Sequence, residues 1–253
     1  MNQNTERTLT KVPAITLGFW IIKVLCTTLG ETGGDAVSMS LKLGYLVGTA
    51  IFAAIFFVAV TAQIKAKEFH PVVYWVTIVA TTTVGTTLAD FVDRSLGIGY
   101  AGGASLLLAL LLASLGVWYW SLGSVSVSTV RTPKEEIFYW VTIMFSQTLG
   151  TALGDWTADS AGLGYRGGAI VFGSLLALVA AAYLWTRVSR TALFWAAFVL
   201  TRPLGAVVGD LLDKPIESGG MALSRFAASA ALVVSIALCV WLFPQRPARG
   251  AAH

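Results

Sequence analysis

Histidine and cysteine are nearly absent from this chain. It has two of each in 253 residues. His70 falls between two apolar runs and His253 is the final residue, so no HxxxH pair exists. Cys26 and Cys239 lie far apart inside apolar segments, with no CxxC spacing. Zinc or copper held by Cys and His is thereby excluded, as is a disulfide framework. Charge is also scarce. Charged residues make up 12% of the chain, against about 25% in an ordinary soluble domain. No phosphate-binding loop, nucleophile–base set or cofactor fingerprint occurs, so an enzyme is not expected. The polar start MNQNTERTLTK is followed by no small-residue cleavage site, so the first apolar stretch is expected to stay in place.

What the chain has is hydrophobic length. Hydrophobic residues reach 56% and the mean hydropathy is +0.76. A membrane span needs about 20 apolar residues. Eight stretches meet that need, at 12–34, 44–64, 71–91, 99–121, 136–156, 164–186, 191–211 and 220–243. An all-α integral membrane protein with eight transmembrane helices is expected. It divides into a tail at 1–11, a membrane domain at 12–243 and a tail at 244–253.

One pattern recurs through that domain. Trp20, Trp75, Trp140 and Trp195 are each followed ten residues later by Gly30, Gly85, Gly150 and Gly205. Five residues further stand Asp35, Asp90, Asp155 and Asp210, and nine beyond those Gly44, Gly99, Gly164 and Gly219. No insertion breaks any copy. The repeats run over about 12–65, 69–121, 134–186 and 189–243, with two spans each. Two spans per repeat insert every copy in the same direction, which implies pseudo-symmetry about an axis along the membrane normal. The glycines read as helix-packing positions. Gly44/Gly48, Gly99/Gly103 and Gly164/Gly168 are GxxxG pairs, which let helices approach closely in lipid.

Basic residues give the orientation. Ten of the 17 lie in the tails and in the connections between repeats, among them Arg7, Lys11, Lys65, Arg131, Arg187 and Arg249, while Lys42, Arg94, Arg166, Lys214 and Arg225 read as charges of the loops within repeats. The positive-inside rule then places both termini in the cytoplasm. The net charge of +4 reflects this bias and does not call for nucleic acid. Trp118, Trp120, Trp185 and Trp241 fall where an interfacial belt is expected.

The four aspartates share one level, about 22 Å along a helix from the repeat Trp. A second acid stands three or four residues from each: Glu31, Asp93, Asp159 and Asp213. Like charges at that spacing need protons, basic partners or a bound cation. One or two turns inward from the aspartates, Thr28, Thr83 and Thr148 add hydroxyls, with Thr86 and Thr151 nearer. Such oxygen ligands suit Mg²⁺ or Mn²⁺ rather than soft metals. Two intramembrane cations break the symmetry. Lys23 stands where other copies have Ile78, Ile143 and Phe198. Arg202, followed by Pro203, stands where they have Thr27, Thr82 and Gln147. Charges inside a span are costly and usually face a bundle interior or a wet cavity.

Four tandem repeats carrying W–x9–G–x4–D–x8–G over residues 12–243 resemble a bacterial family of membrane-anchored proteins built on a repeat of unknown function. The resemblance implies a multi-pass bacterial inner-membrane protein and carries no activity with it. The segment GETGGD at 30–35 also looks like the acidic glycine motifs of cation exporters. The leading expectation is a secondary transporter of a cation, a divalent metal of the Mn or Mg class, exchanged against protons. Asp35, Asp90, Asp155 and Asp210 would hold the ion, Glu31 would carry the proton, and Arg202 and Lys23 would act as counter-ion or gate. The metal is substrate, and no covalent cofactor is expected. Partners are the bilayer and a small cation, with self-association left open. Transport or binding of an organic ion, and a structural or partner-binding role without transport, remain as alternatives.

Overall fold

The computed structural model describes residues 9–95 and 97–249. Glu6, Arg7, His253 and the rest of residues 1–8 and 250–253 of the expected tails lie outside the described residues. Among those residues stand eight long helices: α1 (Leu17–Asp35), α2 (Gly44–Lys65), α3 (Pro71–Asp90), α4 (Gly99–Leu122), α5 (Pro133–Asp155), α6 (Gly164–Trp185), α7 (Arg190–Asp213) and α8 (Arg225–Leu242).

Their starts are written locally. Pro71 and Pro133 open α3 and α5, where a missing N–H costs nothing. Thr132 and Glu135 form a capping box on α5, and Thr16, Ser189 and Ser224 cap α1, α7 and α8. The ends are written by the repeat. α1, α3 and α5 each run through the repeat Asp into a five-residue π-helical turn. Gly44, Gly99 and Gly164 then open the next helix with φ of 77°, 72° and 62°, and Gly219 has φ 86°. A Cβ on any of these four would meet nothing within 4 Å. They are turn glycines, chosen for the left-handed backbone, and not the packing glycines the GxxxG reading made them. Their partners Gly48 and Gly103 do pack, against Ser38 and Asp93 respectively.

Six helices are long and apolar enough to cross a membrane: α2, α3, α4, α6, α7 and α8. α1 and α5 are long enough, at 19 and 23 residues, but too polar to join them. Their neighbours explain why. α1 touches α3 and α7, and α5 touches the same two, so α1, α3, α5 and α7 close into a four-helix ring. A helix buried by other helices needs no lipid-compatible surface. The remaining four lie outside the ring, each on the inner helix that follows its own: α2 on α3, α4 on α5, α6 on α7, and α8 back on α1.

The ring closes on small residues. A Cβ on Gly30 would lie 2.5 Å from Thr82, and one on Gly85 would lie 3.0 Å from Gln147. Gly150 lies against Arg202, and Gly205 against Thr27. Every inner helix therefore takes into its repeat glycine the side chain seven residues after the next repeat's Trp. A second notch follows four residues on, where Gly34, Gly154 and Gly209 face Thr86, Ala206 and Glu31. The sequence reading found the first notch and missed the second.

The expectation of helices alone needs one amendment. β1 (Leu9–Pro13) pairs antiparallel with β2 (Pro247–Arg249). Residues 9–11, expected in a tail, are thus part of a ribbon joining the two ends of the chain. Lys11 Nζ donates to Glu136 Oε1 at 2.6 Å and to Ile64 O at 2.9 Å, and Val12 enters the aromatic core.

That core fills the Trp end of the ring. Phe19, Tyr74, Tyr139 and Phe194 precede the repeat tryptophans, and Tyr74 and Tyr139 share a 2.6 Å hydroxyl–hydroxyl hydrogen bond. Trp75 Nε1 donates to Gln245 Oε1 and Trp195 Nε1 to Val125 O. Trp120, Trp185 and Trp241 are exposed, as a belt requires. Trp118 departs from that expectation: it is wholly buried, stacked on Phe138 and edge-on to Tyr139 and Trp195. Trp118→Ala is expected to cost about 3 kcal/mol, and Trp185→Ala to stay within about 0.5 kcal/mol. Unfolding of the two purified variants in detergent checks the contrast.

Candidate functional site

Position within the ring follows from spacing. Residues four apart lie near one another on a helix face. Three residues after each repeat Trp come Lys23, Ile78, Ile143 and Phe198. Next come Thr27, Thr82, Gln147 and Arg202, then Glu31, Thr86, Thr151 and Ala206, and finally the four aspartates. All sixteen are buried. They form a column of four levels inside the ring, apolar near the Trp end and ionic at the Asp end.

Arg202 ties the levels together. From α7, its Nη2 donates to Glu31 Oε2 of α1 at 3.0 Å, Thr86 Oγ1 of α3 at 2.5 Å and Thr151 Oγ1 of α5 at 2.6 Å. Nη1 donates to Thr27 O at 3.3 Å. One guanidinium thus contacts all three other inner helices. Its stem fits because Gly150 has no side chain there. Lys23, one level nearer the Trp end, is also fully buried. Its Nζ donates to Thr201 Oγ1 at 3.3 Å and Gln147 Oε1 at 3.4 Å, and stands 4.1 Å from the centre of the Phe198 ring. Among the described residues no carboxylate lies within ion-pair distance of it.

The aspartates are not an open ring. Lys214 Nζ bridges Asp35 and Asp210, the latter at 3.1 Å. Arg94 bridges Asp90 at 2.8 Å and Asp155 at 3.4 Å. Arg225 sits 3.1 Å from Asp213 and 3.8 Å from Asp35. The reading of Lys214 and Arg94 as loop charges is corrected here. Four carboxylates this close repel unless cations intervene, and the chain supplies Lys214 and Arg94 as bridges, with Arg225 beside Asp35. Both bridges stand nineteen residues after their Trp, one turn past the Asp, where the other copies have Met39 and Asp159. Continuing the four-residue step would have found them. Burial works against the charge on Lys214, but Asp210, Asp35 and Asp213 outweigh it and hold its pKa above the ordinary lysine value.

The candidate cation ligands are correspondingly regrouped. Carboxylate oxygens of Glu31, Asp35 and Asp210 lie within 4.8 Å of one another, all three residues buried. Asp90 and Asp155 stand apart from this group, under Arg94. Of the second acids only Glu31 joins it. Asp93 turns to Gly103, with neither oxygen hydrogen-bonded among the described residues. Asp213 is held by Arg225, and Asp159 is exposed, accepting from Tyr100 Oη at 3.2 Å. Thr28, Thr83 and Thr148 are also not at the site. They donate to Val24 O, Val79 O and Met144 O on their own helices. Eight residues after the Trp is about 100° past the column face. The hydroxyls that face it belong to the levels seven and eleven residues along, Thr86 and Thr151 foremost.

The family described as Repeat of Unknown Function (DUF347) matches four times in tandem, at residues 18–69, 73–124, 138–189 and 193–246. The chain belongs to this family. No curated protein and no solved structure matches it. In these DUF347 repeats the Trp packs one end of the ring, the central Gly admits the neighbouring helix, the Asp reaches the ionic end, and the last Gly turns the chain.

Proposed function

We propose that this DUF347 protein is a secondary transporter of a small cation, a divalent metal of the Mn or Mg class, exchanged against protons. The observation that carries the reading is the convergence of Glu31, Asp35 and Asp210 at the ionic end of a buried polar column. Hard oxygen donors of net negative charge suit such ions. Ionisable groups within a membrane bundle mark ion and proton paths. In this reading all eight helices span the membrane, as four two-helix repeats about an axis along its normal. The ring shields α1 and α5 from lipid. The Trp end and both termini face the cytoplasm of a bacterial inner membrane. Substrate enters from the Asp end, Arg202 is the counter-ion of Glu31, and the aromatic layer closes the other end.

The test is flux. Wild-type protein in liposomes is expected to move Mn²⁺ toward an internal chelating dye. Glu31→Gln, Asp35→Asn and Asp210→Asn should each fall to the level of empty vesicles, while Asp159→Asn, at the exposed position, stays near wild type. Equal flux in all five proteins, or none in the wild type with Mn²⁺, Mg²⁺ or Ca²⁺, sinks the idea. Lys23 favours one second reading, passage of an organic anion, because it is a buried basic side chain with no carboxylate within ion-pair distance among the described residues. Substrate-dependent thermal stabilisation by anions and not cations would select it.

A further inference from the structure

We propose that the Lys214 ammonium is a built-in occupant of the cation site, which a substrate ion must displace. This rests on the cation-transport reading above and deepens it.

Three observations meet here. Lys214 Nζ lies on Asp35 and Asp210, and those are two of the three carboxylates grouped as cation ligands. An ammonium and a divalent ion held by the same pair of carboxylates repel one another. Second, Lys214 is anchored by its backbone, while its tip is held by side chains alone. Its N–H donates to Asp210 O at 2.9 Å, its carbonyl accepts from Ala222 N at 2.9 Å, and Gly220 lies against its backbone. The side chain follows the end of α7, and it is 13% exposed, so it has a route outward. A lysine ammonium is a compact charge on a flexible four-carbon stem. Swinging it aside moves one positive charge out as the substrate charge comes in. Third, the opposite half of the ring is built differently. Arg94 spans Asp90 and Asp155 through two different nitrogens of a rigid, permanently charged fork.

The chain therefore holds one exchangeable half and one filled half. The two halves use the same repeat position, nineteen residues after the Trp, with different chemistry. Two consequences follow. The protein binds one substrate ion per chain, between repeats one and four. The empty carrier is also neutralised at its site by its own lysine, so it can return without cargo or with protons.

The experiment is Mn²⁺ binding to the full chain purified in detergent, read from the free Mn²⁺ signal in electron paramagnetic resonance. Wild type is expected to bind one ion. Lys214→Met should bind one ion about tenfold more tightly, which corresponds to ~1.4 kcal/mol. Lys214→Met combined with Asp35→Asn should lose that gain, and Arg166→Met, which removes a positive charge at an exposed position, should leave the wild-type affinity unchanged. Lys214→Gln, which keeps a donor toward Asp35, takes the place of the Met variant if that fails to fold. An affinity in folded Lys214→Met or Lys214→Gln equal to or weaker than wild type overturns the inference. If wild type still carries Mn²⁺ in liposomes, that result leaves the transport reading standing. Absence of both binding and flux removes the two together.

Discussion

Replacing Arg202 with methionine is expected to cost about 3–5 kcal/mol of stability, the range for breaking a buried ion pair on one side. The guanidinium has no exposed surface and satisfies groups on α1, α3 and α5 at once. Without it, Glu31 is left as an unpaired carboxylate in the middle of the ring. Removing Glu31 as well should restore much of the loss, because two uncharged side chains leave no orphan. Arg202→Met with Glu31→Gln is the variant to compare. Arg202→Lys should not rescue, since a single ammonium does not reproduce a fork that reaches three helices. Denaturant unfolding of wild type, both singles and the double gives the coupling energy. A single Arg202→Met within about 1 kcal/mol of wild type would show that the column tolerates a lone carboxylate.

Gly205→Val is expected to leave no folded protein. A Cβ there would lie 2.8 Å from the backbone carbon of Thr27 and closer still to its side chain. Side chains can turn aside, but backbone cannot, and close-packed interiors transmit such strain instead of absorbing it. The contact is also the one that closes the ring, α7 against α1. Gly173→Val is the matched control, because a Cβ at Gly173 meets nothing within 4 Å. Size-exclusion chromatography in detergent separates the outcomes: a monodisperse peak for Gly173→Val and aggregate for Gly205→Val. A monodisperse Gly205→Val would mean that the ring glycines do not set the approach of the inner helices.

Much of this was legible before any coordinates. The Trp–Gly–Asp–Gly frame located the helices, and Arg202 stood out because it breaks that frame. What stayed hidden has a common cause. Periodicity along one helix says which residues share a face, not which helix that face meets. Thr28 and Thr27 are equally plausible on paper, and only the ring's centre distinguishes them. Lys214 and Arg94 looked like loop charges because the π-helical turn and the helix end that carry them look like loop in sequence. Gly44 and Gly30 are both invariant in the frame, yet one serves a left-handed turn and the other a helix contact. The β1–β2 ribbon joins residues more than two hundred positions apart, a separation at which local pattern is silent. α1 and α5 read as spans by length, yet their polarity records that they face protein.

The outer helices have one consequence for how the protein is made. Each lies on the inner helix of the following repeat, and the last lies on the first. A ribosome delivers α1 before α8, so α1 keeps one flank uncovered until residues 225–242 have been made. A chain released before residue 225 would carry that bare flank permanently, with Lys23, Glu31 and Asp35 behind it. Quality control would then have a simple mark of an unfinished copy: a polar α1 with no α8 to cover it.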